Sequence, residues 1–200
     1  MILAGGRGRR LGGVVKAGLR VGGQPLLQRA TAALGSAPRP LIVAGGTLTA
    51  AALGLERRHQ LVPDLPFDYA GPLAGLAAAV DWLSRQPHPP GLLLSLAVDT
   101  PFAPADLVTR LTAALSPEQS GVIATCGGQD YPTNGLWRVS ALAPLAAAMA
   151  AGTAPRSLRR LAADLGAGHC EWPLQPDGDP FLSVNTPADL TAAEARAAAL

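Results

Sequence analysis

The chain has 200 residues, 48% apolar and 15% charged, which suits one globular domain over residues 1–200 with a full core and excludes disorder. A formal charge of +2 with no long basic run gives no footing for nucleic acid, the tightest positive group being Arg7, Arg9 and Arg10. Cys126 and Cys170 lie too far apart for a CxxC zinc site or a disulfide framework, and no signal peptide or apolar run of the roughly 18–20 residues of a membrane span is present, so a cytoplasmic protein without membrane partners is expected.

In chain order, Met1–Leu3 read as the end of a strand, and residues 5–13 as a loop rich in glycine and arginine. Pro25–Leu34 carry helical periodicity through Leu26, Leu27, Ala30, Ala33 and Leu34. Pro40–Val43, before Gly45-Gly46, read as a short buried strand, and Leu73–Leu83 as an alanine-rich helix. Gly91–Val98 are apolar on both faces, as in a central parallel strand covered on both sides. Pro104–Leu115 predict a helix, Gly121–Thr125 and Leu136–Val139 strands, and Leu142–Ala151 and Ser157–Leu165 helices. Thr186, Pro187 and Asp189 spell a capping box opening a last helix to Leu200, with Asp in place of the usual Glu. This alternation predicts an α/β fold of three layers with a mainly parallel sheet.

Ligands of such sheets bind beyond the carboxyl ends of the strands. Three candidate positions fall there: the loop after Leu3, Asp64 after Leu61-Val62, and Asp99 after Val98. Glycines in the loop let backbone N–H groups converge on an anion, and its arginines supply bidentate donors for phosphate oxygens. Lys16, the sole lysine among fifteen arginines, adds a mobile point charge. Neither a Walker A loop nor a dinucleotide fingerprint fits, since Val14-Val15 follow Gly13 and no acidic residue occurs between Gly23 and Leu34. Asp99 either caps the turn into Pro101-Phe102 or binds a hard cation such as magnesium, and Asp64 is either an ordinary loop residue or part of the site. Asn185 either holds a substrate group or shapes the turn before the last helix. Three scattered histidines and three tryptophans read as packing or surface residues.

The run Leu3-Ala4-Gly5-Gly6-Arg7-Gly8-Arg9-Arg10-Leu11-Gly12, followed by Lys16, resembles the signature loop of nucleotidyltransferases with a Rossmann-like fold. Gly71-Pro72-Leu73-Ala74-Gly75, Asp99-Thr100-Pro101-Phe102 and Val184-Asn185-Thr186-Pro187 are similar, in order and spacing, to segments of the molybdenum cofactor guanylyltransferase family. The resemblance spans nearly the whole chain. It implies transfer of GMP from GTP to molybdenum-bound molybdopterin with Mg²⁺, and release of pyrophosphate. It further implies Arg10, Lys16 and Asp99 as catalytic residues and Asp99 as the metal ligand. Leu3, Ala4, Gly5, Gly6, Lys16, Asp64 and Asp99 would bind the nucleotide. Molybdoenzymes or their chaperones are the protein partners it suggests. A cytidylyltransferase, a nucleotide-binding carrier without catalysis, and a sugar-phosphate nucleotidyltransferase are the alternatives.

Three positions depart from the family pattern. Val15 stands where an aspartate precedes the loop lysine, Ala44 where the second strand ends in asparagine, and Ser183 two before Asn185 where asparagine is frequent. Only three residues precede the loop, against about 5–6 in an average strand, so the first strand is expected to continue upstream of the recorded start or to be trimmed.

Overall fold

The structure is a computed structural model that describes residues 1–5, 9–35, 41–67 and 71–200. After β1 (Ile2–Leu3) come a hairpin of β2 (Arg20–Val21) and β3 (Gln24–Pro25), then α1 (Leu26–Ala33). Next are β4 (Leu41–Gly46), α2 (Ala50–Leu53), β5 (His59–Pro63), α3 (Pro72–Ser84) and β6 (Leu92–Ala97). The second half runs α4 (Leu107–Ala114), β7 (Gly121–Cys126), β8 (Gln129–Arg138), α5 (Val139–Leu142), α6 (Leu145–Ala150) and α7 (Leu158–Asp164). It closes with β9 (Gly168–Trp172) and α8 (Pro187–Ala198). Among the described residues no helix is long and apolar enough to cross a membrane.

Seven strands form one sheet in the order β5-β4-β1-β6-β8-β7-β9. The β1, β4, β5 and β6 pairings are parallel, as is β7 with β9, and β8 alone runs antiparallel to both its neighbours. Successive strand residues point to opposite faces, and the sheet therefore feeds two cores. Ile2, Val43, Leu96 and Val122 pack with α1, α4 and α8 on one face. Met1, Leu3, Ile42, Leu93 and Ile123 pack with α3, α6 and α7 on the other. The expected three layers, with a mainly parallel sheet, are present.

The differences from expectation have local causes. The helix expected from Pro104 starts at Leu107, and Asp106, at its N-cap position, makes no side-chain cap but accepts the Trp172 Nε1–H at 3.0 Å. The helix expected over Leu142–Ala151 is split into α5 and α6 around Pro144, which has no N–H to donate. The strand expected from Leu136 begins at Gln129, and β9 and the β2–β3 hairpin are additional. The capping box at Thr186 is present as read: Thr186 Oγ1 accepts the Asp189 N–H, and Asp189 Oδ2 accepts the Thr186 N–H. Trp137 and Trp172 are buried as expected of packing residues, and the Trp137 Nε1–H bonds Ser95 Oγ at 3.0 Å.

Candidate active site

The carboxyl ends of β1, β4, β5 and β6 meet at one edge of the sheet, around a cleft of about 200 Å³. Leu3, Gly5, Lys16, Ala44, Asp64 and Asp99 line it, and Gly71, Pro72 and Gly75 at the start of α3 form another wall. Thr133 and Ser183 also face it.

Close backbone packing shapes the floor. A Cβ on Gly5 would come within 3.0 Å of the Gly46 backbone nitrogen, so only glycine lets the loop after β1 lie against the end of β4. On α3, a Cβ on Gly75 would sit 3.0 Å from Ala44 Cβ and 3.1 Å from Leu3 Cδ2, which is why the helix can approach β1 and β4 so closely. Asp64 follows β5, and its N–H donates to the Gly46 carbonyl at 3.3 Å.

Lys16 opens a tight turn whose next residue, Ala17, is buried in the core. Its side chain is only 9% exposed. Nζ donates to Asp99 Oδ2 at 2.6 Å and to Asn185 Oδ1 at 2.6 Å. Asp99 leaves the end of β6, and its carbonyl accepts the Val184 N–H at 2.9 Å, which joins this strand end to the segment before α8. A lysine, an aspartate and an asparagine separated by as many as 169 positions in the chain thus form one cluster.

The antiparallel course of β8 adds a contributor. Between the pairs Ile123↔Gly135 and Ala124↔Tyr131 the strand carries Pro132, Thr133 and Asn134 as a bulge. This turns Thr133 into the cleft, and Asn134 Oδ1 accepts the Ala97 N–H at 3.0 Å, completing the ladder of β6 just before Asp99.

The expected site residues are therefore mostly together. Leu3, Gly5, Lys16, Asp64 and Asp99 share the cleft, and Ala4 is buried beside them. Gly6 lies outside the described residues. Arg10 stands exposed, outside the cleft lining and within electrostatic reach of Asp189. Of the departures, Ala44 and Ser183 line the cleft, whereas Val15 packs against the core beside α1. Thr133 and Asn134 carried no local signal in the sequence.

Burial raises the Asp64 carboxyl above its ordinary pKa. The sign follows. A raised folded pKa favours folding below the ordinary value of about 3.9 and loses that contribution as pH rises through the folded pKa. The ionised carboxylate is thus a burden on the fold at neutral pH. Asp64→Asn is expected to melt higher than wild type at pH 7, with the gap closing toward pH 4. Equal melting temperatures at pH 7 would show that the carboxylate carries no such cost.

Magnesium fits the donors present. Among the described residues no group of three or more His, Cys, Asp or Glu could hold a metal. A hard cation that takes one carboxylate, with phosphate oxygens and water for the rest, suits a single strand-end aspartate such as Asp99, whose Oδ2 is engaged by Lys16.

Residues 1–167 match the model of the MobA-like NTP transferase domain. A molybdenum cofactor guanylyltransferase of Bradyrhizobium sp. (strain ORS 278) is 37% identical over 99% of this chain and 92% of its own length. One from Cereibacter sphaeroides is 38% identical over 97% and 94%. In fold, molybdopterin-guanine dinucleotide biosynthesis protein A from Archaeoglobus fulgidus superposes with a TM-score of 0.73, covering 100% of this chain and 98% of that one at 21% identity. The 2-C-methyl-D-erythritol 4-phosphate cytidylyltransferase from Thermus thermophilus shares the architecture with a TM-score of 0.64, 21% identity and coverage of 99% and 98%. With the family model matched over residues 1–167 and near full-length relatives of one kind, the chain belongs to the molybdenum cofactor guanylyltransferase family of nucleotidyltransferases.

Proposed function

We propose that this protein binds GTP in the cleft and transfers GMP to the phosphate of molybdenum-bound molybdopterin. The supporting observation is the Lys16 ammonium fixed 2.6 Å from Asp99 at the end of the central strands, in a chain whose relatives are named for this activity. An oxygen of the acceptor phosphate forms a bond to the α-phosphorus. The bond from that phosphorus to the bridging oxygen breaks, and pyrophosphate leaves with the electron pair. The attacking oxygen is already anionic, so catalysis rests on positioning and charge stabilisation rather than on a side-chain base.

Leu3, Ala4 and Gly5 present backbone groups to the nucleotide, and the half-buried Asp64 faces it from the end of β5. Asp99 would hold Mg²⁺ together with phosphate oxygens and water, and the cation would neutralise charge on those oxygens. Lys16 stabilises the charge that builds on the pyrophosphate, and Arg10 adds positive potential from outside the cleft wall. The α3 start at Gly71–Gly75 shapes the surface on which the pterin approaches. The finished dinucleotide would pass to molybdoenzymes or their chaperones.

The test pairs turnover with binding. GTP with Mg²⁺ and molybdenum-loaded molybdopterin is expected to release pyrophosphate faster than CTP does, and to raise the melting temperature more, because ligand bound to the native state stabilises it by mass action. Equal shifts and rates with both nucleotides would remove the guanine assignment. GTP binding without pyrophosphate release would favour a nucleotide carrier.

A further inference from the structure

The ammonium of Lys16 has three N–H donors and no acceptor. Two are used inside the protein, on Asp99 Oδ2 and Asn185 Oδ1, each at 2.6 Å. The third remains for the cleft that Lys16 lines. Asn185 is itself held on both sides. The preceding residue, Val184, donates its N–H to the Asp99 carbonyl at 2.9 Å. The N–H of Asn185 donates to Asp189 Oδ2 at 2.8 Å, within the capping box of α8. The amide oxygen is therefore carried on a rigid corner between the end of β6 and the start of α8.

We infer that Asn185 is a positioning residue for Lys16, holding the ammonium between its own amide oxygen and one oxygen of Asp99. This rests on the reading of the cleft as a triphosphate site, and it assigns Asn185 to the protein's own lysine rather than to the substrate. An ammonium free of Asn185 could swing across both oxygens of Asp99 and occupy the side from which a hard cation must approach. Pinned by the amide, it engages Oδ2 and leaves Oδ1 open, with its third N–H turned to phosphate. The neutrality of the amide matters too. Lys16 and Asp99 sum to zero charge, and a carboxylate at 185 would make the cluster negative beside a triphosphate. Asparagine supplies the acceptor without the charge.

Lys16 is the only lysine, so protein grown with ¹⁵N-lysine gives a single side-chain Nζ signal. In the nucleotide-free wild type this ammonium is expected to exchange its protons slowly with water and to resist an amine-reactive reagent, with modification read at Lys16 by peptide mass. In Asn185→Ala the Nζ signal should broaden and the labelling rate should rise roughly tenfold, the loss of one charge-assisted hydrogen bond. The backbone bond from residue 185 to Asp189 survives this substitution, so α8 stays capped. Asn185→Asp keeps an acceptor. It should preserve slow exchange while weakening GTP binding, through repulsion between the added carboxylate and the triphosphate.

Exchange and labelling of Lys16 in Asn185→Ala that match wild type would overturn the inference, as would rapid exchange in wild type itself. These measurements need no nucleotide. If exchange behaves as expected but wild type binds no GTP, the positioning role stands and the triphosphate reading fails.

Discussion

Asp99→Asn is expected to lower the turnover number by a factor on the order of 10²–10³, the scale of losing one preorganised charge-stabilising group. The amide keeps an oxygen for the Lys16 bond but removes the negative charge that a hard cation requires. Higher Mg²⁺ should recover little, since the neutral oxygen is a poor ligand for it. The protein should remain folded, as Asp99 ends a strand and its side chain is 19% exposed. It should still melt lower than wild type, because Lys16 loses its counter-charge in a mostly buried place. That loss should fall below the about 3–5 kcal/mol of breaking a fully buried pair. Pyrophosphate release across a Mg²⁺ series, with circular dichroism melting alongside, checks both parts. Wild-type turnover in Asp99→Asn would take the residue out of the metal site.

Lys16→Ala is expected to cost one charge-assisted contact to phosphate, about 1.5–3 kcal/mol, or roughly 10- to 150-fold in kcat/KM. It also strands Asp99 without its cation and leaves Asn185 Oδ1 without its donor. Arginine should rescue only in part. Its planar guanidinium cannot place one nitrogen 2.6 Å from both Asp99 and Asn185 while keeping a third donor on the cleft. Steady-state kinetics of the alanine and arginine variants checks the order wild type, arginine, alanine. Arginine equal to wild type would show that only the charge counts and that the ammonium geometry does not.

Much of this architecture was legible because it is written in local patterns. The apolar run Leu92–Leu94 and Leu96–Val98 announced a central strand and placed Asp99 at its carboxyl end. Thr186, Pro187 and Asp189 announced α8, since capping is a matter of neighbours in sequence. The dense glycines and the lone lysine pointed to the same edge of the sheet. What stayed hidden depends on partners far away in the chain. The Lys16–Asn185 bond joins the two ends of the sequence, and nothing local at Asn185 separates it from any turn asparagine. Thr133 reaches the cleft only because β8 bulges against β7, which reads as an ordinary polar stretch until the pairing is known. Arg10 shows the converse. Its place in the loop suggested phosphate, while the fold sets it outside the cleft lining, toward α8. The β2–β3 hairpin was marked by Gly22-Gly23, a turn pair with positive φ at both positions, but its strands are two residues each and too short to show a period.

One consequence of the buried lysine reaches beyond catalysis. A lysine-specific protease has a single bond to cut in this chain, the one after Lys16. To cut it, the protease must take that side chain into its own pocket. The side chain must first leave Asp99 and Asn185, and the backbone turn closed by the Leu19 N–H on the Lys16 carbonyl must open. Disassembly of the cleft and exposure of the scissile bond are therefore one event. When reclosing outpaces cleavage, the digestion rate of the intact protein measures the fraction of molecules in which the cleft is open, without any substrate being turned over.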